Sequence, residues 1–221
     1  MEQLTWTGER LVTSVNDQFF AIEHLHRYAM AVEISAGKII LDIACGEGYG
    51  TNLLAQKAAF VYGVDIDSNT ILHANKKYAV PGKNIEFRQG STSAIPLEAA
   101  TVDVVVSFET IEHHDEHEQM MKEIKRVLKP GGILIISSPN RSVYKQLIPN
   151  NIFHVKELEF EELKKLLGKN FEHCHYFEQQ FVAGSLITSL GKDGYRLKFF
   201  DGNYEGISNE IHSVNYFNKP Y

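Results

Sequence analysis

The sequence predicts an α/β fold in which a parallel sheet carries helices on both faces. Three observations carry that reading. Short apolar runs, KIILDIA at 38–44, VDVVVS at 102–107 and ILIIS at 133–137, alternate with stretches of helical period. Most of their residues are apolar on both sides of the pleat, the pattern of strands buried on two faces rather than one. Glycine-rich or proline–glycine turns punctuate the alternation, which suits repeated βα units.

The elements follow in order. Residues 17–36 place Phe20, Ile22, Leu25, Tyr28, Ala29 and Val32 near helical spacing, so a helix precedes the core. Lys38–Ala44 is the first strand, Thr51–Ala58 a helix and Phe60–Asp65 the second strand. Ser68–Tyr78 reads as a helix that Ser68 can cap, and Ile85–Arg88 as a short third strand. Val102–Ser107 is the fourth strand and Glu116–Leu128 a helix stopped by Lys129-Pro130-Gly131-Gly132. Ile133–Ser137 is the fifth strand, Glu157–Leu167 a helix and Phe171–Gln180 a sixth strand candidate. Residues 183–215 are rich in Gly, Ser and Asn and show no clear period. The sequence ends at Asn218-Lys219-Pro220-Tyr221, where a last strand is expected to begin. Either that strand lies outside this chain or the sheet closes another way.

Bulk properties narrow the class. The chain has 221 residues, 43% hydrophobic and 23% charged, which suits one globular domain with a proper core. The net charge of -6 argues against a nucleic-acid partner, which asks for a basic face. No uncharged apolar run approaches the ~20 residues of a membrane span, and Met1–Arg10 lacks the plan of a secretory signal. Cys45 and Cys174 are too few for a disulfide framework. These features point to a reduced, cytoplasmic protein. Nothing in them sets the oligomeric state.

The chemistry gathers after the first strand. Leu41-Asp42-Ile43-Ala44-Cys45-Gly46-Glu47-Gly48-Tyr49-Gly50 is a turn on which a ligand can approach the main chain. Such a loop also serves nicotinamide and flavin enzymes, but three details favour another ligand. Asp42 would repel a pyrophosphate and attract a cationic amino acid. Asp65, ending the second strand about twenty residues past the first glycine, suits ribose hydroxyls. Ser107-Phe108-Glu109 forms a lip at the carboxyl edge of the sheet, where ligands bind.

With these residues in view, the chain resembles the class I methyltransferases over residues 38–180. DIACGEGYG resembles the family's first motif, GVDID its second, VDVVVSFETIEH its fourth-strand motif and LKPGGILIISSPN its fifth. The resemblance implies a Rossmann-like sheet, a seventh strand that is normally antiparallel, and S-adenosylmethionine as cofactor. It implies that Asp42, Gly46 and Gly48 line the methionine portion, that Asp65 holds the ribose and that Ile66 packs on adenine. Many relatives carry an aspartate where this chain has Ser91, whose hydroxyl can still accept from the adenine amino group.

Glu109, Glu112 and His113 stand at the mouth of that pocket, and His154 follows the fifth strand. Carboxylates with imidazole suit a divalent ion such as Mg²⁺ or Mn²⁺, which can lower the pKa of a substrate hydroxyl. This pattern resembles the small-RNA 3′-terminal 2′-O-methyltransferases and the ubiquinone-pathway O-methyltransferases. That likeness makes Glu109, Glu112, His113 and His154 the ligands. Without a metal, Glu112 caps the next helix and His113 is the catalytic base. His114 and His117 read as a solvated helix start, with Asp115 and Glu116 set against the helix dipole. His173 and His175 flank Cys174 on a strand and mark no site.

Thr7-Gly8-Glu9-Arg10, Glu23–Tyr28 and Phe153–Glu157 resemble bacterial methyltransferases of surface-glycan and O-antigen assembly. In that reading Arg27 pairs with the cofactor's carboxylate and Tyr28 covers it, as a lid. The alternative is an amphipathic helix whose Arg and His face water. The chain is thus read as one domain over 1–221: a helical lid at 1–36, a core at 37–180 and an irregular segment at 181–221. The leading expectation is an O-methyltransferase for a sugar, a glycan or another small hydroxylated molecule. The alternatives are an RNA 3′-terminal 2′-O-methyltransferase and a non-catalytic cofactor-binding fragment of a larger protein.

Overall fold

The computed structural model describes residues 18–147 and 151–181, with further strands at 185–189, 197–200 and 212–214. The core is helix α1 (Gln18–Ile34), β1 (Ile39–Ile43), α2 (Tyr49–Leu54), β2 (Phe60–Asp65), α3 (Ser68–Tyr78) and β3 (Ile85–Gln89), followed by β4 (Val102–Phe108), α4 (His117–Val127) and β5 (Leu128–Ser137). The chain continues through α5 (Arg141–Leu147), α6 (Phe160–Asn170), β6 (Phe177–Phe181), β7 (Ser185–Ser189), β8 (Leu197–Phe200) and β9 (His212–Val214).

The predicted parallel sheet is present, in the order β3-β2-β1-β4-β5. Its pleat sorts side chains to two cores. Ile40, Val104 and Val106 face α1 and α2, against Leu25, Tyr28, Leu53 and Leu54. Leu41, Ile43 and Val105 face the other way, against Met120, Met121 and Ile124 of α4 and Leu166 and Leu167 of α6. Each such side chain contributes about 1.5–3 kcal/mol when fully buried, and both faces of the sheet are therefore covered. Chain order reverses between β1 and β4, so the crevice for a ligand opens at their carboxyl ends.

Several expectations are corrected. Asp67, not Ser68, caps α3, its side chain accepting from the Asn69 N–H at 3.0 Å. Glu116 rather than Glu112 is the N-cap of α4. The helix after His154 starts at Phe160, because Leu158 is drawn into a bridge with Asn140 and keeps 157–159 extended. His173, Cys174 and His175 precede the strand instead of lying on it, for β6 starts at Phe177. That strand leaves the parallel sheet altogether and heads an antiparallel sheet in the order β6-β7-β8-β9. This sheet occupies the tail where no period is visible. Thr7–Arg10 and the last residues, 218–221, lie outside the described residues. Among the described residues no helix is long and apolar enough to cross a membrane.

Candidate active site

The glycine loop between β1 and α2 is built by backbone torsion first. Ala44 (φ 60°) and Gly48 (φ 89°) both take the left-handed region, and a Cβ on Gly48 would lie 2.8 Å from the Phe87 ring. The loop is then tied down from below. The Gly46 N–H donates to Asp65 Oδ2 at 2.9 Å, and the Asp67 N–H to Asp65 Oδ1 at 3.0 Å. Asp65, 7% exposed, thus organises the glycine loop. Glu47, whose side chain is 2% exposed, pairs with Lys77 and lies 3.7 Å from His73 Nε2, which fastens the loop to α3. Burial pulls the Lys77 ammonium down, but the hydrogen bonds to Glu47 and Tyr78 outweigh it and hold it above its ordinary value.

Asp42 lies on the α1 side of β1 and is 1% exposed. It receives the Tyr28 hydroxyl at 3.0 Å and the Thr51 hydroxyl at 2.7 Å. Burial pushes its carboxyl up to about 6 even so, with the Asp65 charge adding to the rise. Tyr28 reaches it only because Gly50 has no side chain: a Cβ there would stand 2.0 Å from Tyr28 Cζ. Phe108, 8% exposed, meets the Tyr28 ring edge-on at 5.0 Å and is core packing as well as lip. Ile66 is 72% exposed beside Asp65, an open apolar surface of the kind that a purine covers. Ser91 Oγ lies 3.2 Å from Ser93 Oγ in the next turn along the sheet edge.

Arg27 does not face water. Its guanidinium, 12% exposed, donates to Gln179 Oε1 at 2.7 Å and pairs with Glu109 Oε1 at 3.1 Å. Gln179 in turn donates to the Glu23 carbonyl at 3.2 Å. His26 is 2% exposed, so the amphipathic alternative for α1 fails at both residues. The nearby His24 is pushed down to about 4 by burial and by Arg27, and stays neutral. Burial acts to raise the Glu109 carboxyl, but Arg27 and the Ser137 hydroxyl hold it below the usual carboxylate range.

Beyond Glu109, a 3₁₀ turn (Ile111–His113) carries the remaining predicted residues. Glu112 (1% exposed), His113 and His154 converge, with their ligand-type atoms within 4.8 Å of one another. The predicted set of four is thus brought together as three, and Glu109 turns to Arg27 instead. The loop bearing His154 is stitched to the turn: the Val155 and Lys156 N–H groups donate to the Glu112 carbonyl at 2.9 and 3.0 Å. His113 Nδ1 lies 3.1 Å from the Phe153 carbonyl and His154 Nδ1 lies 2.7 Å from Glu157 Oε1. Tyr144 stacks on the His154 ring at 4.9 Å. His117 is buried, with Nε2 donating to the His114 carbonyl at 2.7 Å, and is a structural brace rather than a solvated helix start.

Sequence reasoning missed Thr51, Glu47, Ser137, Gln179 and Glu157. Only the last has a local signal, an acid three residues after a histidine in H-x-x-E. The others act across the fold.

Comparison with known proteins agrees with this fold. Residues 41–136 match the methyltransferase domain family. A relative in Mycolicibacterium smegmatis, whose name assigns it to the S-adenosylmethionine-dependent methyltransferases, is 37% identical over 74% of this chain and 63% of its own length. The chain therefore spans about three fifths of that relative. A ubiquinone biosynthesis O-methyltransferase of Pseudomonas fluorescens is 33% identical over 48% of this chain and 47% of its own. A solved protein of Pyrococcus horikoshii superposes with a TM-score of 0.61 at 26% identity, covering 79% of this chain and 91% of its own. On this fold, this loop and these matches, residues 41–136 are similar to the methyltransferase domain family and to relatives named as S-adenosylmethionine-dependent methyltransferases.

Proposed function

We propose that the chain transfers a methyl group from S-adenosylmethionine to a hydroxyl of a small acceptor. The observation that carries this reading is the convergence of Glu112, His113 and His154 just past the carboxyl end of β4, the strand that pairs with the β1 strand leading into the glycine loop. The donor is already activated, so the chain gains most by aligning the acceptor and taking its proton. Asp65 holds the ribose, Asp42 faces the cationic end of the cofactor, and Tyr28 closes over it. A carbonyl can only accept, so the His113 Nδ1 facing Phe153 O carries the proton of the neutral ring. Its Nε2 then presents a lone pair, and His113 is the base for the acceptor hydroxyl. Glu112 offsets the imidazolium that results.

Glu112, His113 and His154 are also a donor set that fits a divalent ion. Such an ion, when bound, supplies Lewis-acid polarisation of the acceptor oxygen.

Two acceptor classes are supported by different observations. The likeness of Glu23–Tyr28 and Phe153–Glu157 to surface-glycan enzymes favours a sugar. The loop that bears His154 favours an acceptor with an apolar part, because Ile152 is 87% and Val155 65% exposed there. The Pseudomonas relative named for ubiquinone biosynthesis supports the second class. S-adenosylhomocysteine titrated calorimetrically in EDTA tests the cofactor half, and no heat sinks it. Radiolabelled methyl transfer to methyl glycosides and to alkyl catechols then tests the acceptor half. Full turnover in His113→Ala removes the assigned base.

A further inference from the structure

We propose that His114 is a positioning residue for the purine of the cofactor: its ring holds the Ser91–Ala94 turn through Thr92, and that turn reads the purine's 6-amino group. The inference rests on the S-adenosylmethionine reading above and adds a residue to it.

The place of the purine follows from the strand ends. Asp65 ends β2 and pairs in register with Gln89 of β3, so the chain leaves β3 beside Asp65 and Ile66. Two bonds close that edge. The Gly90 N–H donates to the Asp65 carbonyl at 3.0 Å, and Gln89 Nε2 donates to the Ile66 carbonyl at 3.2 Å. A ribose held at Asp65, with its base on the exposed Ile66, has the turn at 91–94 as its next neighbour along the sheet edge. Ser91 and Ala94 form a bridge there, and the Ala94 N–H donates to the Ser91 carbonyl at 3.2 Å. Ser91 Oγ and Ser93 Oγ stand 3.2 Å apart. A hydroxyl has one proton to give. With the Ser91 proton turned to Ser93, its remaining lone pairs accept from an amino group and repel a carbonyl oxygen in the same place.

The connection that carries this turn is held in two parts. Beyond the turn, Glu123 Oε2 accepts the Ile95 N–H at 2.9 Å, and Arg126 donates to the Ile95 and Leu97 carbonyls at 2.9 and 2.6 Å. These anchors leave 91–94 to the residues that follow β4. His114 Nε2 lies 3.2 Å from Thr92 Oγ1, whereas Gln119 Nε2 reaches the Ser93 carbonyl only at 3.4 Å from an exposed position. His114 Nδ1 is buried without a hydrogen-bond partner, so among the described residues Thr92 is the partner of this ring. Its other contact is the His117 ring, edge-on at 5.5 Å. The backbone carbonyl of His114, not its ring, accepts from His117 at the start of α4. The ring is thus committed to the turn, one residue from the assigned base His113.

The test is calorimetric binding of S-adenosylhomocysteine and of S-inosylhomocysteine, which carries an oxygen in place of the 6-amino group. Wild type should prefer the adenosyl compound by at least about tenfold, because a site built to pair with a group rejects the analogue lacking it. His114→Ala and Thr92→Val should each weaken the adenosyl compound about three- to tenfold, the worth of one hydrogen bond, and should shrink the preference. His114→Gln, whose amide can still reach Thr92, should restore most of it. The double variant should be no worse than either single one. A role in α4 stability alone would lower the urea midpoint and weaken both compounds equally. That result overturns the inference, as does a His114→Ala variant that keeps the wild-type preference. Should His114→Ala fail to fold, Thr92→Val decides alone, since it changes only a half-buried hydroxyl to a methyl. Wild type that binds both compounds alike overturns the inference and leaves the S-adenosylmethionine reading standing. Wild type that binds neither overturns both.

Discussion

The Tyr28 hydroxyl donates to Asp42 Oδ1 at 3.0 Å and so ties α1 to the carboxyl edge of the sheet. The bond joins the helix read as a lid to the acid read as a cofactor contact. It also bears on stability, because that acid is buried.

Asp42 binds its proton more tightly in the folded chain, at about 6, than at its ordinary 3.8. A raised carboxyl favours the folded state fully at low pH, and that contribution is lost as pH rises through the folded value. At about 1.4 kcal/mol per pH unit of the gap, the ionised group costs about 3 kcal/mol at neutral pH. Urea unfolding of the cofactor-free protein should therefore show stability falling from pH 4 to pH 6, and Asp42→Asn should flatten that slope. Asp42→Asn should also weaken S-adenosylhomocysteine at least tenfold at pH 8, where the carboxylate attracts the ligand's ammonium. A variant with the wild-type slope would show that the burial of Asp42 is not felt.

Gly50 offers a test by sign. Alanine in a helix is ordinarily better than glycine by about 0.5–1 kcal/mol. Here the added methyl meets the Tyr28 ring at 2.0 Å, so Gly50→Ala should lose about 1–3 kcal/mol through overpacking. In a Tyr28→Ala background the same substitution should become neutral or stabilising. Destabilisation that persists without the ring would point to the loop itself.

The Arg27–Glu109 pair spans α1 and the end of β4 with both side chains mostly buried. Arg27→Ala should cost about 2 kcal/mol, below the fully buried range because Glu109 keeps some solvent. Much of that loss should be recovered by Glu109→Gln, which removes the stranded charge. A double-mutant cycle in urea should give a coupling of about 1 kcal/mol or more, and additive effects would deny the pair.

Strands β1, β2 and β4 were legible because each is a local apolar run beside turn signals, whereas β5 starts at Leu128 and takes in the Lys129–Gly132 stretch that reads as a turn. Phe60–Asp65 and Ser68–Tyr78 fall where the sequence puts them. Leu158 misled, since an apolar residue among acids has the same period whether it packs in a helix or bridges to Asn140. The antiparallel sheet β6-β7-β8-β9 was hidden for a different reason: pairings such as Phe177 with Ser189 leave no mark on either segment alone. The site divides likewise. The glycine loop, Asp65 and the E-x-x-E-H turn are contiguous and readable. That Glu109 faces Arg27, and that Asp42 depends on Thr51, are facts of the fold.

Glu47 sits inside the readable motif, yet its role comes from α3. A carboxylate that is 2% exposed needs a cation, and Lys77 provides it with His73 nearby. Lys77→Met should therefore destabilise by about 2–3 kcal/mol, somewhat below a fully buried pair because Lys77 remains a third exposed. Glu47→Gln in the same background should restore most of the loss, since it removes the charge while keeping the shape. The loop between Gly46 and Gly48 is anchored through this pair, so Lys77→Met should also weaken S-adenosylhomocysteine several-fold, measured by calorimetry. If stability falls while affinity holds, Glu47 braces α3 only, and Asp65 alone shapes the cofactor loop.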